Sequence, residues 1–427
     1  MGTTFTCVAT GDWNDDATWG LTDGDYPGNG GATDDVVIMD IANKSGGPGD
    51  LTVTLVADVE LKAIKMAGTA SGDATLHTAS EHTLTLNDTE FSGYSAHVTG
   101  QTEFTGNVNF TFTKSGTTHI IIDPASQTNK LNDITCNHSS LALHLLSAIT
   151  IKGDLNCTLG SFSTQSSGGG TSHALTVTGT TTIGPASGVA DQATLTCNGS
   201  DVTLGSGRQQ ADYALNIEIG GTFVGGTATH TVGSLYMAQS ANAKATMTTA
   251  VMTINGYNNS ANKAWRVEYG GDTFDNNNGT VKFHLNGFNT RMSMRGASHA
   301  NNAFHNLIID ADTSARQISP DNGSKIIVDN DLTITNGKLV MGMSHALEVG
   351  GDVEIDDASG TAILEMGSSS NISSQAATFG SLTIGGSGTY KATSGTTTIT
   401  DEGDGSGGTA GYAWYNLGTF THNNGTV

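Results

Sequence analysis

Basic residues are scarce in this 427-residue chain: 17 Lys and Arg stand against 40 Asp and Glu, a formal charge of −23. Nucleic-acid affinity is dominated by Lys and Arg on phosphates, so nucleic acid is excluded as a partner, and an anionic lipid surface is disfavoured for the same reason. The acidic balance instead keeps a large β protein soluble and opposes edge-to-edge association. No apolar run approaches the length of a membrane span, so no membrane insertion is expected. The chain opens Met1-Gly2-Thr3-Thr4-Phe5 with neither a basic nor a hydrophobic stretch behind it. No signal peptide is therefore expected in the chain as written.

Sustained helical periodicity is missing as well, where an ordinary globular protein would hold about a third helix. Only 36% of the residues are hydrophobic and Pro is down to 5, while Gly reaches 57. A thick globular core is not available to such a chain, but a thin two-sided one is. Alternating Thr, Val and Ile suit pleated strands, and Gly-Asn-Asp clusters suit the turns between them. The four cysteines, Cys7, Cys136, Cys157 and Cys197, show no zinc spacing, and a disulfide framework would be unusual in so long a chain. With a coil of roughly 20 residues, the last three are expected in one stacked column as small core fillers.

What is present is repetition. Ser172-His173-Ala174-Leu175-Thr176-Val177-Thr178-Gly179-Thr180-Thr181-Thr182-Ile183 recurs as Ser344-His345-Ala346-Leu347-Glu348-Val349-Gly350-Gly351-Asp352-Val353-Glu354-Ile355. Each copy reads as strand, tight turn, strand. Upstream, Asn132 to Cys136 answers Asn306 to Asp310, and Gly153-Asp154-Leu155-Asn156-Cys157 answers Asn330-Asp331-Leu332-Thr333-Ile334; downstream, Ala193 to Cys197 answers Ala362 to Met366. Self-similarity in preserved order is the signature of a stacked array, so the fold class expected is all-β, a parallel β-helix or β-solenoid. Tandem β-sandwich domains are the alternative, because Asn336-Gly337 between two apolar strands is the mark of a hairpin. A second echo pairs Phe274-Asp275-Asn276-Asn277-Asn278-Gly279-Thr280-Val281 with Phe420-Thr421-His422-Asn423-Asn424-Gly425-Thr426-Val427. It predicts that the chain is cut within a repeat or continues past it.

Four regions are expected: a cap segment over 1–45, a first solenoid module over 46–238, a junction over 239–301 and a second module over 302–427. The junction is rich in soft and aromatic side chains (Met247, Met252, Met292, Met294, Trp265, Tyr269) and holds Arg266, Arg291 and Arg295. It reads as a repacked seam or as a surface for a partner subunit or glycan. Near the start, Gly11-Asp12-Trp13, Thr18-Trp19, Pro27 and Asp35-Val36-Val37-Ile38 form a pattern that resembles the N-terminal start of right-handed parallel β-helix domains in phage tail fibres, tailspikes and bacterial surface adhesins. Aromatics there would cover the open first rung of a solenoid. The resemblance implies a virion protein that attaches to a host surface, assembled as a homotrimer with other virion or surface proteins and in contact with host surface glycans.

Chemistry is hard to find. Candidate carboxylate pairs are Asp356 with Asp357, Asp329 with Asp331, and Asp310 with Asp312, but neighbouring carboxylates in turns normally cap or solvate them. His173 and His345 share one place in the two copies, which predicts a role in the fold. There is no Gly-x-Ser-x-Gly elbow, His-Glu-x-x-His helix, phosphate loop or complete calcium loop. No catalytic or metal-ligating residue is therefore assigned, no binding residue is singled out, and no cofactor is expected beyond weak calcium binding by Asn-Asn-Gly loops. The function expected is structural and adhesive, in a virion appendage. A bacterial cell-surface adhesin or extracellular filament subunit is the alternative, and a polysaccharide-degrading β-helix enzyme a further one.

Overall fold

In the computed structural model of the chain, the described residues are 2–47, 49–90, 93–122, 131–188, 191–267, 273–294, 302–321, 325–356, 361–368, 371–403 and 411–427. Among them the structure is all strand and turn, with three short 3-10 turns at Asp16–Trp19, Asn29–Gly31 and Ile41–Asn43. The chain divides into two compact units, Met1–Leu204 with Gly220–Thr222, and Gly205–Ile219 with Phe223–Val427. Each is a parallel β-solenoid.

In the first unit every coil lays down short strands on successive faces. One face stacks Val59–Leu61, His82–Leu86, Val108–Phe112, the start of Ile134–Leu145, the start of Leu155–Ser163 and Thr181–Ile183, all parallel and in register. Period-two alternation decides what points where. Leu84, Phe110, Ile134 and Leu155 form one inward column, while Thr85, Thr111, Thr135, Asn156 and Thr182 form an outward one. Outward Thr ladders suit a solvated sheet face, since branched side chains pack on the pleat and hydroxyls remain in water. Two strands, Ile134–Leu145 and Leu155–Ser163, run from this face onto the next, so the first pairs with two different strands of the coil before it and the second with two of the coil after it.

The second unit repeats the plan. Thr280–Leu285, Asn306–Ala311, Leu332–Ile334, Asp352–Ile355, Ser381–Ile384 and Trp414–Asn416 stack in parallel. Leu307, Leu332, Val353 and Leu382 form its inward column, each fully buried. Removing such a side chain from water contributes about 1.5–3 kcal/mol. Asn336-Gly337 is a corner and not a hairpin: the strands on either side pair with Asp352–Ile355 and Ala362–Ser368, both parallel. The sandwich alternative falls with it. Gly337 takes φ 84°, which explains why Gly stands there.

The repeated motif has a physical purpose at one kind of corner. Where the chain turns between faces, a backbone N–H leaves the strand ladder and needs an acceptor. In the first unit Asp133 N donates to Asn109 Oδ1 (3.2 Å), Asp154 N to Asp133 Oδ1 (2.7 Å) and Thr180 N to Asp154 Oδ1 (2.6 Å). The second unit builds the same ladder at two corners, where Asp331 N donates to Asn306 Oδ1 (3.2 Å) and Asp352 N to Asp331 Oδ1 (2.9 Å), and extends it with the Ser381 hydroxyl, which donates to Asp352 Oδ1 (2.7 Å). Its members lie 25, 21 and 29 residues apart, so coil length varies while the corner does not. The Gly before the donor at Asp154, Thr180 and Asp352 follows from the same contact. A Cβ at Gly153 would stand 1.9 Å from Asp133 Oδ1, one at Gly179 2.2 Å from Asp154 Oδ1, and one at Gly351 2.5 Å from Asp331 Oδ1.

The first rung is covered as the aromatic pattern predicts. Trp13 and Trp19 are buried, edge to face at 5.2 Å, with Phe5 against Trp19. Trp13 Nε1 donates to Pro27 O and Trp19 Nε1 to Trp13 O, at 2.9 and 2.7 Å. Cys136 and Cys157 do stack, in register and buried. Cys197 does not join that column: Ile183 follows Cys157 in it, and Cys197 sits past the strand Ala193–Thr196, its carbonyl accepting from Thr164 Oγ1. All four thiols are free and buried.

The ladder makes a sharp prediction. Asp331→Ala leaves the Asp352 amide without its acceptor and should destabilise the protein by about 1–3 kcal/mol, while Asp331→Asn keeps an Oδ1 and should be nearly neutral. Denaturant unfolding of the two variants checks this. Equal losses in both would show that the side-chain oxygen is not what holds the corner.

Candidate functional site

The carboxylates singled out by the sequence separate into different structural tasks. Asp331 is occupied as the corner acceptor and also accepts from Asn330 Nδ2 at 3.0 Å. Asp329 Oδ2 accepts from Asn276 Nδ2 at 2.8 Å, tying two loops together. Asp310 receives Lys282 at 2.6 Å and His284 at 3.3 Å. Burial pushes its carboxyl up, but the bonds and charges of Lys282 and His284 outweigh that and hold it below the usual carboxylate value. Asp312 accepts from Gly287 N and faces Arg316 at 3.6 Å. Asp357 lies outside the described residues, so the pair it forms with Asp356 is not a matter of structure here.

The Asn-Asn-Gly loops are left-handed turns. Asn277, Asn278, Asn423 and Asn424 all have φ between 49° and 60°. Asn277 Nδ2 donates to Met247 O and Asn423 Nδ2 to Ala392 O, at 2.8 and 2.7 Å, so both copies spend the amide on the neighbouring coil. Among the described residues no group of three or more His, Cys, Asp or Glu is gathered as metal ligands would be. His345 is buried, with Nε2 2.9 Å from Asp321 O, whereas its counterpart His173 is half-buried. Burial pushes the His173 imidazole below its ordinary value.

In the junction, Trp265 packs among Phe274, Phe283 and Phe304, and Met247, Met252, Met292 and Met294 are buried with it. Arg266 is half-buried, 5.2 Å from the Tyr236 ring, and Arg291 is exposed. Tyr269 and Arg295 lie outside the described residues.

One outward face of the first unit carries a column that no local motif announced. Tyr94, His119 and His144 occupy equivalent positions on three successive coils. Their ring centroids are 6.0 and 5.8 Å apart, and His97 stacks on Tyr94 at 4.8 Å with an interplanar angle of 18°. His119 Nε2 meets Ser167 Oγ at 2.9 Å and His144 Nδ1 meets Gln165 O at 2.8 Å. Burial, and then the charge of Lys65, push the His97 imidazole below its ordinary value and favour the neutral ring. The column is a rigid strip of half-buried rings edged by hydroxyl and amide groups. Its only trace in the sequence is an aromatic or imidazole ring recurring at outward positions about one coil apart.

No protein-family model, curated protein or solved structure matches the chain. The site is therefore judged on its geometry.

A concentration of negative charge provides a pH test. Glu354 points outward between Thr333 and Thr383, and burial, followed by Asp356, Asp352 and Asp331, raises its carboxyl above the ordinary value. A raised carboxyl is penalised in the fold once ionised, so the cost is present above the folded pKa and disappears below the unfolded one. Glu354→Gln should therefore raise the melting temperature at pH 7 and leave it unchanged near pH 3.5. Calorimetry at the two pH values checks this; a drop at pH 7 would contradict it.

Proposed function

We propose that this chain is a structural and adhesive protein of a virion, a subunit of a phage tail fibre, tailspike or other appendage, whose outer faces engage glycans on a host surface. The observation that carries the reading is the column of Tyr94, His119 and His144 with His97, held in register by parallel backbone pairing. Rings present a flat apolar surface, and their N–H and O–H edges supply hydrogen bonds, a combination suited to sugars, which have one apolar and one hydroxylated side. The strip is preorganised, because each ring stands on a strand fixed by the coils above and below. Little conformational entropy is left to lose on binding.

Self-association as a homotrimer, with further virion proteins at its ends, belongs to the same proposal. Several copies of a weak site on one rigid appendage raise avidity without any new contact. Attachment needs binding and no bond cleavage, so the reading assigns no catalytic residue.

The test pairs binding with chain-length analysis on a panel of bacterial surface polysaccharides. The protein should retain at least one polysaccharide without shortening it, and the double variant Tyr94→Ala, His119→Ala should bind about tenfold or more weakly at an unchanged melting temperature, a loss of about 1.4 kcal/mol. Undiminished binding by the double variant would overturn the role of the column. Fragments released in proportion to protein would replace attachment by catalysis.

A further inference from the structure

A groove of 500 Å³ opens on the second unit between the strands Thr290–Met294, Gln317–Pro320 and Gly337–Met341 and the turn that follows them. Its volume falls in the range of small-ligand sites. Arg291 and Asp321 are the charged residues on its wall, and Lys263 pairs with Asp321 at 2.7 Å from the preceding coil. Both members of that pair are nearly buried, with 12% and 13% of the side chain exposed. Lys263 thus neutralises the carboxylate. Arg291 meets the same Asp321 through one nitrogen at 3.5 Å, and 52% of its side chain is exposed. With Lys263 and Arg291 both on Asp321, a half-exposed guanidinium faces a cleft in a chain of net charge −23.

The rest of the wall narrows the chemistry. His345 is 5% exposed; its Nε2 stands 2.9 Å from the Asp321 carbonyl oxygen. Its Nδ1 edge is shut in against Gly342, where a Cβ would come within 2.6 Å of it, so the ring closes the wall of the groove. Gln317, Ser319 and Ser344 add neutral polar groups, and Met343, 56% exposed, gives the lip an apolar surface.

We propose that this groove binds a carboxylate-bearing saccharide, with the sugar carboxylate on the Arg291 fork and its hydroxyls on the polar groups of Gln317, Ser319 and Ser344. A planar guanidinium matches a carboxylate in two parallel bonds, which an ammonium does not. The assignment deepens the attachment reading by naming an acidic glycan as ligand, but it uses residues remote in sequence from Tyr94, His119 and His144. The two readings can therefore fail separately.

The full chain is titrated calorimetrically with three probes, a galacturonate trisaccharide, a neutral galactose trisaccharide and inorganic phosphate. The galacturonate should bind, weaken as salt rises, and exceed the neutral sugar by about tenfold or more. Arg291→Gln should abolish that preference, Arg291→Lys should restore it only in part, and Met343→Glu should repel the acidic probe from the lip at an unchanged melting temperature. Tyr94→Ala, His119→Ala should leave it intact. Equal binding of acidic and neutral sugars, no binding of either, or an undiminished preference in Arg291→Gln would overturn the proposal. Phosphate competing as well as galacturonate would reduce the groove to a general anion site and overturn the sugar assignment. Retained galacturonate binding with no polysaccharide retained would sink attachment and spare the groove.

Discussion

Each solenoid unit depends on giving an acceptor to the backbone N–H that the chain exposes as it turns a corner. Strands settle their own amides with the coils above and below, but a corner breaks that pattern once per turn. An unpaired buried N–H costs about as much as a lost hydrogen bond, and the cost would recur in every coil. Asn109, Asp133 and Asp154 in one unit, and Asn306 and Asp331 in the other, answer it with a side-chain oxygen from the coil below. A single carboxamide or carboxylate thereby fixes both the position of the turn and the register of the next strand. Since side chains alternate with period two, that register decides the inward or outward fate of every residue that follows.

From register comes the surface. Residues at equivalent positions of adjacent coils stand about 4.8 Å apart, so a residue type repeated at coil intervals becomes a column. Thr85, Thr111 and Thr135 make an inert hydroxyl ladder in this way, and Tyr94, His119 and His144 make a ring strip. The groove at Arg291 arises differently. There the turn carrying Gly342, Met343 and Ser344 stands beside the strands that hold Arg291, Gln317 and Val340, and a hollow lies between them. Rigid columns and hollows are the kinds of surface such a fold can offer a ligand, and both proposals draw on that fact.

Much of the architecture is legible in the residues. Alternation gives the strands, Gly-Asp-Leu gives a corner whose Gly and Asp are explained by one contact, and Trp13 and Trp19 mark the covered end. Asn336-Gly337 misleads because the dipeptide specifies a positive φ and not what the flanking strands pair with. Cys197 leaves the expected column because a constant spacing assumes coils of constant length, whereas corners in that unit lie 21 to 26 residues apart. The candidate sites are the least legible part. Tyr94 and His144, or Arg291 and His345, are brought together by stacking alone, and no short window of sequence contains either pair.

Hydrogen exchange at the corner amides tests the central claim most directly. If the side-chain ladder holds the coils in register, the amides of Thr180 and Asp352 should exchange as slowly as those of the adjoining strands, at Thr182 and Val353, because they open only when the coil does. Exchange of Thr180 and Asp352 at the rate of exposed loop amides, with the strands still protected, would contradict it.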